Sequence, residues 1–273
     1  MRLAHYWLLA KALVFACALI GIDPFGSSGS GSSGSGSCAC LARELAGKGA
    51  ADERAKNEFL RLAAYCDKTR KLLMSSRFQQ VVKEADGAIK DFPGQAMPYY
   101  FRGVAYTELN EAKAGLADLE VYERMQTRAK IPIAEGYVFD CKARNFAELG
   151  QWHKALFEVE KAQKSGNSLE RFKLKGQILR NLGREEEAAQ EFIKALKIDP
   201  KHYWSAYELA RSYENRKMYD KAVESASQMI KIRPTEPYAY GYRAQLFKKL
   251  GKAKEALKDE QSAKQMAQSE FPF

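Results

Sequence analysis

Residues 172–200 read FKLKGQILRNLGREEEAAQEFIKALKIDP. Phe172, Gly176 and Leu179 stand at i, i+4 and i+7, and so do Ala188, Phe192 and Ala195 after Gly183. That period draws one apolar stripe along a helix. The stretch therefore predicts two helices, each with one apolar face, joined at Gly183. Glycine there supplies the left-handed conformation that ends a helix. Pro200 ends the second helix, because proline has no N–H to donate and forces the residue before it out of helical geometry.

The same pattern recurs along the chain. Aligned on Gly183, the turn returns at Ser76, Asn110, Gly150, Lys217 and Gly251, at spacings of 34, 40, 33, 34 and 34 residues in chain order. Four residues before each turn stands a large side chain: Leu72, Tyr106, Phe146, Leu179, Tyr213 or Phe247. Seven before stands a small one: Thr69, Gly103, Ala143, Gly176, Ala210 or Ala244. Five after comes Val81, Gly115, Ala155, Ala188, Ala222 or Ala256. Small residues let two antiparallel helices approach, and large ones fill the space toward the next pair. Pro93, Pro200 and Pro234 separate the copies. The second copy lacks the proline and holds six extra residues near RAKIPIAE, which reads as a longer connection around Pro132.

This pattern resembles the tetratricopeptide repeat, whose 34-residue unit runs aromatic, Leu-Gly, Tyr, then Ala, Phe, Ala and Pro. Phe172, Gly176, Leu179, Gly183, Ala188, Phe192, Ala195 and Pro200 carry the resemblance most fully. It implies an all-α, right-handed α-solenoid of about six helix-turn-helix repeats over residues 62–270. Residues 41–61 read as an N-terminal capping helix. The last helix reads as a water-facing terminus, since Glu260 falls where Leu119, Val159 and Phe192 lie in earlier copies.

The resemblance also implies a concave face built from the first helix of each pair. Its fixed offsets select Tyr100, Phe101, Tyr137, Arg144, Lys173, Arg180, Trp204, Tyr207, Arg211, Tyr238 and Tyr242 as a partner-binding groove. Tyr, Trp and Arg dominate binding hot spots, and the four cations Arg144, Lys173, Arg180 and Arg211 would suit an acidic or carboxylate-bearing peptide. Part of the family holds the C-termini of Hsp70 and Hsp90 chaperones in a carboxylate clamp. Here the matching windows offer Gln177, Glu208, Tyr238 and Tyr242 instead of the clamp's Lys and Asn, so that mode is not expected.

The remaining features narrow the function classes. Cys17, Cys38, Cys40, Cys66 and Cys141 form no C-x-x-C, and His5, His153 and His202 are scattered, so neither a metal site nor a disulfide framework is expected. No catalytic constellation or phosphate loop is visible, and no cofactor is implied. The net charge is +10, of which Arg2, Lys11 and Asp23 leave only +1 in the first 37 residues. A basic solenoid raises nucleic acid or an anionic membrane surface as an alternative partner, but no aromatic-basic RNA motif supports it. Residues 1–25 combine Arg2 and Lys11 with an apolar run from Ala12 to Ile22, the form of a signal peptide or signal anchor. Residues 26–40, opening with GSSGSGSSGSGS, read as a flexible linker, natural or engineered. The reading is thus a non-enzymatic interaction scaffold, exported or membrane-anchored if the N-terminus is a true signal and cytoplasmic if it is not.

Overall fold

The computed structural model describes residues 50–129 and 135–269. All its regular structure is helical, and no strand occurs among the described residues. Twelve helices follow in order among them: α1 (Ala50–Met74), α2 (Phe78–Asp91), α3 (Met97–Glu108), α4 (Ala112–Ala129), α5 (Glu135–Glu148), α6 (Trp152–Lys164), α7 (Leu169–Asn181), α8 (Glu185–Ile198), α9 (Tyr203–Asn215), α10 (Tyr219–Ile232), α11 (Pro237–Lys249) and α12 (Ala253–Ser269). They form the all-α helical repeat architecture that the periodicity implies.

The turns show why the pattern folds this way. The six aligned residues all adopt positive φ: Ser76 56°, Asn110 60°, Gly150 68°, Gly183 75°, Lys217 57° and Gly251 71°. Each closes a Schellman motif. The amide after the turn reaches back to the carbonyl of the large residue four before it, as Arg184 N–H does to Leu179 (2.9 Å) and Met218 N–H to Tyr213 (2.9 Å). At the far ends, the pre-proline residues Phe92, Asp199 and Arg233 leave the helix at φ −132°, −129° and −131°. Steric conflict with the following ring excludes helical geometry there.

Among the described residues the chain divides into two compact units. The smaller holds 50–105 and 120–129. Its core joins Val81, Ala85 and Ala88 of α2 to an aromatic group in which Phe101 meets Tyr65 at 5.9 Å and Tyr100 meets Tyr122 at 5.3 Å. Residues 50–61, expected within an N-terminal capping helix, are helical and run on into the first repeat helix in the 25-residue α1; residues 41–49 lie outside the described residues, as do 1–25 and 26–40. The extra residues of the second copy go largely into helix rather than loop. α4 has 18 residues where α2, α8 and α10 have 14. Pro132 lies outside the described residues.

The larger unit holds 106–119 and 135–269. Helices pack with their hairpin partners and with the next pair in turn, and the first helices α5, α7 and α9 also touch successively. One core runs through it, from Phe146 and Val159 through Leu179 and Phe192 to Met229 and Leu246. Glycine is required at 176, where a Cβ would stand 2.7 Å from the Phe192 ring. Burying this apolar surface supplies the main stabilisation, at about 25 cal/mol per Å². In α12, Glu260 pairs with Lys248 (2.5 Å) and Leu257 is exposed.

Candidate functional site

Helical spacing places Trp204, Tyr207 and Arg211 at i, i+3 and i+7 on one face of α9. His202 caps this helix, its Nδ1 accepting the Ser205 N–H at 3.1 Å. In α11, Pro237 opens the helix behind the Glu236 cap, and Tyr238 and Tyr242 follow four residues apart. The two helices bring these rings together. Tyr207 meets Trp204 at 5.9 Å, Tyr238 at 5.7 Å and Tyr242 at 5.7 Å, all edge-on. Tyr238 and Tyr242 stack at 6.2 Å with 7° between planes. Tyr203, buried, meets Trp204 edge-on at 5.6 Å, and its hydroxyl has no hydrogen-bond partner among the described residues.

The cluster is half core and half surface. Tyr242 is 8% exposed, whereas Trp204 is 56% and Tyr238 50% exposed. Two large aromatics left this open in one cluster offer a contact surface. Tyr242 donates its hydroxyl to Glu214 (2.6 Å), which also receives the Lys249 ammonium (2.6 Å). Burial works against the Glu214 charge, but these two donors hold its carboxyl below the usual range. Burial and the bond to Tyr207 push the Tyr238 hydroxyl pKa up, so it stays protonated at neutral pH. The Arg211 guanidinium lies 5.5 Å from the Tyr207 ring centre and makes no ion pair among the described residues.

The other expected groove residues fare differently. Tyr100 (1% exposed) and Phe101 (4%) are corrected to core residues. Their offset faces the packed aromatics Tyr122 and Tyr65, so neither ring presents a surface. Tyr137 is exposed, but its hydroxyl leans toward Glu108 at 3.4 Å. Arg144 pairs with Glu108 at 2.6 Å, Lys173 with Glu170 at 2.8 Å, and Arg180 with Glu208. Three of the four expected carboxylate-binding cations therefore already hold carboxylates of the chain. Sequence reasoning also missed Arg171, which grips Asp140 through Nε and Nη2 at 2.9–3.0 Å and ties α7 to α5. Asp140 stands 31 residues away, so no local signal announces the pair.

A second missed feature is periodic and was readable. Eight residues before each turn stand Lys68, Arg102, Lys142, Lys175, Leu209 and Arg243; eight after stand Glu84, Asp118, Glu158, Glu191, Ser225 and Asp259. The structure pairs Lys68 with Glu84 (2.8 Å), Lys142 with Glu158 (3.0 Å) and Arg243 with Asp259 (2.7 Å) within their hairpins. Only the fifth copy replaces both partners, by Leu209 and Ser225.

Residues 179–246, which include most of this cluster, match the tetratricopeptide repeat family. That part of the chain is tetratricopeptide repeat in sequence. Solved structures share the fold of this repeat protein at low identity. The C-terminal part of a TPR repeat-containing protein from Cytophaga hutchinsonii is 19% identical, with a TM-score of 0.64 over 73% of this chain and 78% of that one. YrrB, described as a TPR protein with an unusual peptide-binding site, is 16% identical, with a TM-score of 0.55 over 67% and 91%. MamA from Desulfovibrio magneticus is 15% identical, with a TM-score of 0.58 over 65% and 97%. At these identities the likeness concerns the fold. No curated protein matches the repeat protein.

Proposed function

We propose that this chain is a non-enzymatic interaction scaffold that holds a peptide or helix of a partner protein on the first-helix face, at α9 and α11. The observation that carries this reading is the pair of exposed rings, Trp204 and Tyr238, standing on a buried aromatic base beside Arg211. Rigid aromatics offer large contact area at little entropic cost, and a packed base holds them ready for a partner. YrrB, a protein of the same fold, carries a peptide-binding site. The apolar N-terminal run supports a second part of the proposal, that the scaffold is exported or membrane-attached through residues 1–25. No described helix is long and apolar enough to cross a membrane.

The test is capture of partners from the source by the full chain and by a Trp204→Ala/Tyr238→Ala variant. Both side chains are half exposed, so the variant should melt within a few degrees of the parent, yet lose the captured proteins. Equal recovery by the variant would sink the assignment. Fractionation of the full chain with and without residues 1–25 tests the membrane proposal.

A further inference from the structure

The hydrogen-bonding inventory of the aromatic surface is unbalanced. Trp204 can only donate, and its indole N–H meets no acceptor among the described residues. Arg211 carries five N–H donors, accepts nothing and makes no direct ion pair among the described residues, its charge reaching Glu214 only from a distance. Tyr207 and Tyr238 share one hydrogen bond at 3.1 Å, so of their two hydroxyl protons one is left over whichever way the bond runs. The neighbouring carboxylates are committed. Glu208 holds Arg180, and Glu214 holds Lys249 and Tyr242. The surface therefore has donors to spare, positive charge and open aromatic faces; of its nearby anions, Glu208 and Glu214 hold cations and Glu236 is taken up in capping α11.

A cationic ligand would suit aromatic rings in general, but Arg211 already lies against Tyr207 and would repel it. An apolar ligand without acceptors would cover the donors and leave them unsatisfied, which costs more than the contact gains. Only a ligand that brings acceptors and negative charge together with an apolar body completes the surface. Trp204, Tyr207 and Arg211 lie along one helix stripe, so apolar and acidic groups must be close neighbours in the ligand.

We infer that the α9–α11 surface takes a protein segment in which an aspartate or glutamate stands beside a large apolar side chain, the carboxylate on Arg211 and the apolar group on Trp204 and Tyr238. This rests on the scaffold reading above and specifies its partner. It differs from a C-terminal carboxylate clamp, because a single guanidinium serves an internal acid and no free chain end is required.

The experiment selects a random short-peptide library displayed on phage against the full-length chain, then measures winners by fluorescence anisotropy. The expected winners place Asp or Glu next to Phe, Trp, Leu or Ile. Replacing that acid by its amide should weaken binding about tenfold, the worth of one charge-assisted contact. Arg211→Gln should remove the difference between acid and amide peptides while still binding the amide form. Winners without acids, or an acid preference that survives Arg211→Gln, overturn the inference and leave the scaffold site standing. Winners that bind Trp204→Ala/Tyr238→Ala as tightly as the parent overturn the site itself, and the inference with it.

Discussion

Removing one member of the Lys142–Glu158 pair tests whether the hairpins are held by internal charges. Both side chains are almost wholly buried, 8% and 7% exposed, with 3.0 Å between nitrogen and oxygen. Breaking a buried pair by deleting one partner costs about 3–5 kcal/mol, because a desolvated charge remains. Glu158 keeps the half-buried Lys161 at 3.2 Å, which places Lys142→Leu toward the lower end, about 3 kcal/mol. The fifth copy shows the neutral alternative, with Leu209 buried and Ser225 bonded to the Lys221 carbonyl at 3.1 Å. Adding Glu158→Ser to Lys142→Leu reproduces that copy. It removes the stranded charge and leaves a small cavity, so the second change should recover at least about 1 kcal/mol. Glu158→Ser alone should destabilise, so the sign of its effect depends on Lys142. Urea unfolding of the four chains measures this directly. If the two costs simply add, the recurring pair is not a coupled unit.

Three further outcomes follow from the geometry. Lys217→Gly relieves a side chain held at φ 57° and should raise stability by about 0.5–1 kcal/mol by thermal melting, whereas Gly183→Val should lower it. The Cys141 thiol, pushed up to about 11 chiefly by burial, should resist an aromatic disulfide reagent at pH 8 in the folded chain and react on unfolding, read by mass spectrometry. Burial, then Lys173, lowers the His202 pKa below its usual 6.5, and its neutral Nδ1 caps α9. The unfolded chain then takes up this proton first. The cap's contribution should be full above about pH 6.5 and lost as pH falls through the lower folded value, seen as faster amide exchange at Ser205 and Ala206.

Much of the fold was legible because the turns obey a local rule. Ser76, Asn110 and Lys217 align with glycines in the repeat register, and all three adopt the glycine conformation. The prolines likewise act on their immediate neighbours. The candidate site was legible only in part. Its offsets select the right faces of α9 and α11, but they treat each copy alike. Tyr100 and Tyr207 both stand ten residues before their turns, yet one is buried against Tyr122 and the other is partly open, because the difference lies in what packs beside them. Arg144 and Arg180 look available in the sequence, and their carboxylates come from 36 and 28 residues away. The extra length of α4 was hidden for a simpler reason: helix-forming residues such as Gln126 and Arg128 do not show where a longer segment stops.

The neutral pair Leu209 and Ser225 bears on compliance. Where Lys142 faces Glu158 or Arg243 faces Asp259, sliding one helix along the other strips a buried charge of its partner and meets steep resistance. Between α9 and α10 the same displacement exchanges apolar contacts for similar ones. The hairpin that carries Trp204 and Tyr207 thus lacks this restraint, and small adjustments to differing ligands meet less resistance there than in the Lys142–Glu158 and Arg243–Asp259 hairpins.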